Sequence, residues 1–293
     1  MRLYNFIREY LNLDISSLVK YTGMTDSVRA NTLSFLDNPK FSGDIRNNPN
    51  IIAAFVRKHD ISSLPDNVEP IIVDNPKAVF FELHNEYCKK YLKYEPTKIA
   101  EDAFIHPTAF VPNEGVVIGS NVSIGPNSTI LPGVEIGAKT VIGPNCIIGS
   151  EGFHVFTDTQ GIKRIVAHDG LVIIGKNVDL QASVTVDKGL MGRDTIIADE
   201  CKFDNFVHIA HRVHVNQSTL LASGVCVAGS SEIGRNVWIG PGSIVSNRIK
   251  VDDGARILIG SVVIRNVKTD TELSGNFAIE HKKHLLSQIE QRI

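Results

Sequence analysis

The stretch Phe203-Asp-Asn-Phe-Val-His-Ile209-Ala-His-Arg-Val-His-Val215-Asn-Gln-Ser-Thr-Leu-Leu221-Ala-Ser-Gly-Val-Cys-Val227 carries a large apolar residue at every sixth position. The beat starts at Ile197 and continues through Ile233, Ile239, Val245, Val251 and Ile257 to Val263. Upstream the same interval links Ile118, Ile124, Ile130, Ile136, Ile142 and Ile148, and after an interruption Ile174, Leu180 and Val186. Four residues after each anchor stands a mostly small or β-branched residue (Cys201, Val207, Val213, Thr219, Val225, Ser231), and directly after it often Gly or Ala. A period of six is neither the 3.6 of a helix nor the 2 of a hairpin sheet. It fits a coil of three short strands with the large residue turned inward and the small one filling the space beside it. Successive coils then stack about 4.8 Å apart, as parallel strands do. The chain is therefore expected to be mainly β, with a left-handed parallel β-helix from about residue 104 to 267.

Around that prism the organisation is simple. Residues 1–97 lack the repeat and are expected to form a small N-terminal α/β domain. Ile51–Val56 and Pro70–Val73 read as strands, followed by a helix with Asn75 as N-cap and Pro76 at its first position. Val79, Phe80, Leu83, Tyr87 and Tyr91 would share one face of that helix. The β-helix domain is expected over 98–270, and a short C-terminal helix over 271–293, with Leu285, Leu286, Ile289 and Ile293 on one side. Residues 149–172 leave the beat as a long excursion holding Phe153-His-Val-Phe156 and Lys163-Arg164. Excursions of this length in compact folds are usually functional, and a substrate-contacting loop is the expected role.

Composition bounds the chemistry. The 293 residues are 43% hydrophobic and 21% charged, with a formal charge of −2, so nothing marks a nucleic-acid or anionic-membrane surface. No apolar run approaches the roughly 18 residues of a membrane span, and charge near Met1 argues against a signal peptide. With Cys88, Cys146, Cys201 and Cys226 far apart, reduced thiols in a cytoplasmic protein are expected.

His208, His211 and His214 are spaced by three, which invites a zinc reading. Stacked residues are about 18 apart, so the neighbours expected above and below His211 are Arg193 and Gly229. His208 and His214 fall on different strands, no set of three histidines is expected to converge within one subunit, and no metal is expected. An outward histidine serves instead as a general base. Gly229, one coil away, offers a backbone N–H for an oxyanion, a donor commonly worth about 3 kcal/mol.

Over nearly its whole length the chain resembles the UDP-3-O-acylglucosamine N-acyltransferases. Leu33-Ser-Phe-Leu-Asp-Asn-Pro-Lys-Phe41 is similar to the family's uridine-binding stretch. The resemblance implies that Phe35 and Phe41 flank the base and Asn38 hydrogen-bonds it, although the family usually has Tyr at the position of Phe41. Gly149-Ser-Glu-Gly-Phe153 and Thr185-Val-Asp-Lys-Gly189 resemble further family segments, and Asp204-Asn205 with Ile209-Ala-His211 resembles its catalytic stretch. By that match His211 is the general base, Asp204 supports it, Gly229 supplies the oxyanion N–H, and Phe153 and Asn205 contact substrate. The departures fall on the acyl-donor side. The β-helix is shorter than the family's, Arg248 replaces a second histidine, Gly260-Ser-Val-Val-Ile264 replaces a Met-rich segment, and the C-terminal extension is abbreviated.

These features lead to an N-acyltransferase acting on a UDP- or dTDP-linked amino sugar in cell-surface glycan synthesis. It would work as a homotrimer with no permanent cofactor, and a short acyl group from acyl-CoA is the first expectation. The lipid A enzyme itself, using a long hydroxyacyl chain on acyl carrier protein, is the alternative within that chemistry. A metal-dependent hydratase predicts stoichiometric zinc, and a non-catalytic sugar-nucleotide binding protein predicts nucleotide binding without thioester consumption.

Overall fold

A computed structural model describes residues 2–13 and 15–275. From Lys98 to Leu273 the chain winds through short parallel strands that stack into three sheets of eight, nine and seven strands, the faces of a triangular prism. One coil repeats every 18 residues, so that Phe203 stacks on Leu221 and Leu221 on Ile239. The inward anchors are sealed, from Ile124 and Ile130 at 0% exposure to Ile257 at 0%. The small companions are sealed with them, and their hydroxyls are satisfied internally: Thr219 Oγ1 donates to the Gly234 carbonyl at 2.7 Å and Ser231 Oγ to that of Ser246 at 2.9 Å. A buried hydroxyl without such a partner would cost about 1–3 kcal/mol, so Ser and Thr fit these positions only because a carbonyl of the next corner lies in reach.

Many corners of the prism hold a left-handed residue, which explains why Asn recurs there. Asn121, Asn145, Asn177 and Asn236 take φ between 54° and 57°, a region Asn tolerates better than most side chains. Arg212 at φ 61° and Arg248 at φ 59° occupy the same corner position without that tolerance.

The N-terminal domain is a parallel sheet in the order β1 (Tyr21–Thr22), β2 (Thr32–Leu36), β3 (Ile51–Val56), β4 (Glu69–Ile72). It is packed by α1 (Arg2–Leu11) and α3 (Pro76–Tyr91), while Ile45 of the short α2 (Ser42–Arg46) clusters with Leu36, Ile51, Ala54 and Val56. Asn75 caps α3 as expected, its Oδ1 accepting from the Ala78 N–H at 3.2 Å. Phe80 and Leu83 on the expected face are fully buried. The helix α1 was not read from the sequence, although Leu3, Phe6 and Ile7 bury one side of it. Strand Glu272–Leu273 still stacks on Arg256–Ile257, so regular coiling runs past 270. The helix expected over 271–293, with Leu285, Leu286, Ile289 and Ile293 on one side, falls from residue 276 onward outside the described residues.

The excursion over 149–172 is an ordered hairpin, Val155–Thr157 against Lys163–Ile165, clamped onto α3. Phe156 is buried with its ring 5.3 Å from that of Phe81. Asn85 bonds twice to the hairpin, donating to the Ile165 carbonyl at 2.9 Å and accepting from the Ala167 N–H at 2.8 Å. Thus the interruption of the repeat packs against the N-terminal domain and helps join it to the prism. Lys163 and Arg164 do not reach the cleft described below; Arg164 Nε donates instead to Asp158 Oδ2 at 2.6 Å.

Candidate active site

His211 follows the strand His208–Ile209 at a corner of the prism, where its side chain leaves the core. The expected 18-residue stacking holds below it but fails above it. Thr185 pairs with His208, 23 residues on, because the turn Lys188–Arg193 is inserted at this corner. Arg193 is therefore not the upper neighbour of His211; it pairs with Asp26 at 2.9 Å and Glu232 at 3.8 Å. The start of the excursion takes that place, with Gly152 packed against His211.

A cleft of about 400 Å³ opens here, lined among others by His211, Gly229, Phe153, His154, His208 and Arg248. His211 is only partly exposed and its Nδ1 is buried, so it is not a solvated surface side chain. Gly229 lies directly against it: a Cβ there would be 2.7 Å from His211 Nε2. The Gly229 N–H donates to no described residue, whereas its carbonyl accepts from the Arg248 N–H at 3.1 Å. A ring nitrogen and a glycine with a free amide donor thus line the same cleft, the two kinds of group that acyl transfer requires.

The electrostatics keep His211 neutral. Burial first, then the neighbouring His168 and His154 and the cation of Arg212, push its pKa down to about 3. His154 is likewise pushed down to about 4, mainly by burial and then by His168. Arg212, almost fully buried, is held by an ion pair with Asp26 of the N-terminal domain. Burial alone would raise the Asp26 carboxyl, but Arg212 and Arg193 outweigh it and hold it below its usual value. Glu151 is held down to about 2: burial opposes ionisation, and hydrogen bonds from His168 and Lys188 overcome it. On the adjacent face His208 Nδ1 meets Thr185 Oγ1 at 2.8 Å, and Asp187, raised by burial, accepts from Ser150 Oγ at 2.8 Å.

Several expectations need correction. Three histidines do converge in one chain, though not the set spaced by three: the rings of His154 and His168 lie 5.8 and 5.4 Å from that of His211. Both come from the excursion, which the repeat could not place. Among the described residues the group whose ligand atoms approach within 4.8 Å is a different one, His84, Cys88 and Asp169. Its histidine is already engaged on both nitrogens, by Thr22 Oγ1 at 2.8 Å and the Ala167 carbonyl at 3.0 Å, so its donor set does not suit an ion. Asp204 does not reach His211 within the chain. The two bracket one face of the prism, roughly 15–20 Å apart at the rise of a strand, and Asp204 Oδ1 accepts from the N–H and Nδ2 of Asn205. Asn205 in turn accepts from the Ala182 N–H at 3.1 Å, a coil-to-coil tie.

The stretch Leu33–Phe41, expected from resemblance to bind uridine, contributes none of Phe35, Asn38 and Phe41 to the lining of this cleft. The Phe35 ring packs in the domain core, 4.8 Å from Phe80 and 5.5 Å from Phe81. Asn38 Oδ1 accepts from the Lys40 N–H at 3.0 Å, and Phe41 is 40% exposed beneath the Lys40 ammonium. Phe153 lines the cleft and is 85% exposed.

The model of the bacterial transferase hexapeptide family (six repeats) matches residues 115–150. UDP-3-O-acylglucosamine N-acyltransferase of Helicobacter hepaticus is 31% identical over 279 residues, covering 87% of this chain and 83% of that protein. The enzyme of the same name from Campylobacter concisus is 32% identical over 252 residues, covering 78% and 77%. Among solved structures, UDP-N-acetylglucosamine acyltransferase from Campylobacter jejuni superposes with a TM-score of 0.55 at 22% identity, covering 67% of this chain and 79% of that one, a likeness of fold. No helix among the described residues is long and apolar enough to cross a membrane. With a prism of hexapeptide coils, a histidine packed against a glycine whose amide is free, and these relatives, the chain is an acyltransferase and belongs to the UDP-3-O-acylglucosamine N-acyltransferase family.

Proposed function

We propose that this acyltransferase moves a hydroxyacyl chain from a thioester on acyl carrier protein to the amine of a UDP-linked 3-O-acylglucosamine. The sequence led with a short acyl group from acyl-CoA, but the names of the relatives favour the lipid A reaction. Below His208, the outward positions of the same face run Cys226, Ile244, Val262. Cys226 lines the cleft, and Ile244 and Val262 are 45% and 54% exposed. This apolar ladder, two coil steps of about 4.8 Å below the cleft wall, supports an acyl chain longer than an acetyl group.

The observation that carries the reading is His211 Nε2 packed against Gly229, whose N–H donates to no described residue. The amine attacks the thioester carbonyl while His211 Nε2 takes its proton. The Gly229 N–H meets the oxygen that becomes negative, and the C–S bond then breaks as the thiolate leaves and the proton passes to it. Asp204, Asn205, Phe35, Asn38 and Phe41 do not line this cleft, which supports a homotrimer in which they serve the cleft of a neighbouring copy. His211→Ala is expected to lower turnover at least about 100-fold. Near-normal turnover in that variant, or a monomeric sedimentation mass for the active protein, would overturn the proposal.

A further inference from the structure

Packed against His211, and outside the residues that line the cleft, stands a pair that the reaction as described does not use, the sealed His168 and the half-exposed Glu151. His168 is fully buried, and its Nδ1 lies 2.8 Å from the Val166 carbonyl and 3.1 Å from Glu151 Oε2. Glu151 also accepts from the His168 N–H at 2.8 Å, and its other oxygen meets the ammonium of the nearly buried Lys188 at 2.9 Å. Both neighbours of His168 Nδ1 are acceptors, so that nitrogen carries the proton and Nε2 keeps a lone pair. His168 Nε2 and His211 Nδ1 are both buried and without a partner among the described residues. Their rings meet edge to face at 5.4 Å, with Gly152 between them. A Cβ on Gly152 would lie 2.7 Å from His168 Nε2 and 2.9 Å from His211 Cβ, so glycine is what lets the two rings approach.

We infer that His168 is a positioning residue for His211: its Nε2 accepts the Nδ1 proton of His211, directly or through one bridging water, and so fixes the tautomer whose Nε2 lone pair faces Gly229. The acceptor role of His168 is itself fixed by Glu151 and the Val166 carbonyl, and Lys188 fixes Glu151. No proton passes between the two histidines. The proton gained during acyl transfer sits on His211 Nε2, while Nδ1–H stays directed at His168 Nε2, whose own Nδ1 faces Glu151. The other charged or titratable groups facing His211 are His154 and the cation of Arg212, neither of which offers an acceptor at Nδ1 among the described contacts. This inference rests on the proposed role of His211 as base.

The test pairs kinetics with a direct reading of the tautomer. In 15N-histidine-labelled full-length protein at neutral pH, the His211 resonances, assigned by their loss in His211→Ala, should show a protonated Nδ1 and an unprotonated Nε2. His168→Phe, which keeps ring shape but removes the acceptor, should mix the tautomers. It should also lower kcat on the order of 10–100-fold, the usual effect of removing the partner that orients a working histidine, with the acceptor KM unchanged. His168→Gln, which returns an acceptor to the Nε2 position, should recover most of that loss. An Nε2–H tautomer in the unmodified protein overturns the inference whatever the variants do. So does a kcat within about 3-fold in His168→Phe, or a Gln variant as impaired as Phe with the tautomer undisturbed. Full activity in His211→Ala would remove the base instead, and the tautomer would still report on the positioning claim.

Discussion

Replacing Gly229 by Ala probes the site with a single methyl group. The backbone there is not left-handed, so alanine is not strained locally, and loss of glycine's unfolded-state freedom contributes about 0.4–1 kcal/mol of stability. The new Cβ, however, falls 2.7 Å from His211 Nε2 and 2.9 Å from Cε1, while ordinary carbon contacts begin near 3.4 Å. The ring tip must move by about 0.7 Å or leave its rotamer, at about 0.5–1.5 kcal/mol. These two effects nearly cancel, so thermal unfolding should shift by no more than a few degrees. Catalysis has no such compensation. A displacement near 1 Å of a catalytic group costs roughly 100-fold, and the methyl also crowds the amide that meets the oxyanion. Initial rates with saturating donor should therefore fall at least about 100-fold, with a matched melting profile. A Gly229→Ala enzyme within about 3-fold of the parent rate would refute the placement of the nucleophile between His211 and this amide.

Two further perturbations test how the cleft is held. Phe156→Ala removes a buried ring from the joint between the hairpin and α3 and should cost about 3–5 kcal/mol in denaturant unfolding, with faster amide exchange in the hairpin; unchanged exchange there would contradict the clamp. Asp26→Ala leaves the Arg212 guanidinium buried without its carboxylate. Because Asp26 is 40% exposed at its side chain, the loss should be about 1–3 kcal/mol rather than the full value for a sealed pair. The folded pKa of Asp26 is lowered, so this stabilisation is complete above its unfolded value near pH 4 and fades as the pH falls through the folded one. Melting curves of parent and variant should accordingly converge in acid, and a constant gap down to the lowest pH would contradict the ion pair.

The prism was legible because its inward anchors are large apolar residues at one interval through Ile118–Ile148, Ile174–Val186 and Ile197–Val263. Helix α3 was legible through its own cap, Asn75-Pro76, which needs no tertiary context. The active-site surroundings were not, for a common reason. His154, His168 and Glu151 lie in the excursion, where no period relates sequence position to space. The turn Lys188–Arg193 breaks the 18-residue arithmetic above His211, which is why Arg193 was placed where Gly152 actually packs. Below the corner the arithmetic holds, and there Gly229 was placed correctly against His211. The support expected from Asp204 came from resemblance alone, and coil geometry puts one strand's length between it and His211. What could have pointed to the support of His211 is the pairing of an acidic residue and a histidine, Glu151 and His168, at opposite ends of one interruption.

The most direct test is the product itself. The protein is incubated with UDP-3-O-acylglucosamine and, in parallel, a hydroxyacyl chain on acyl carrier protein or a short acyl-CoA, and the product is weighed and treated with mild base. The account predicts a mass gain equal to the hydroxyacyl chain, in the carrier-protein reaction, in a base-stable amide. A gain only from short acyl-CoA would return the donor to the first sequence-based expectation, and a base-labile ester or no transfer from either donor would contradict N-acylation at this cleft.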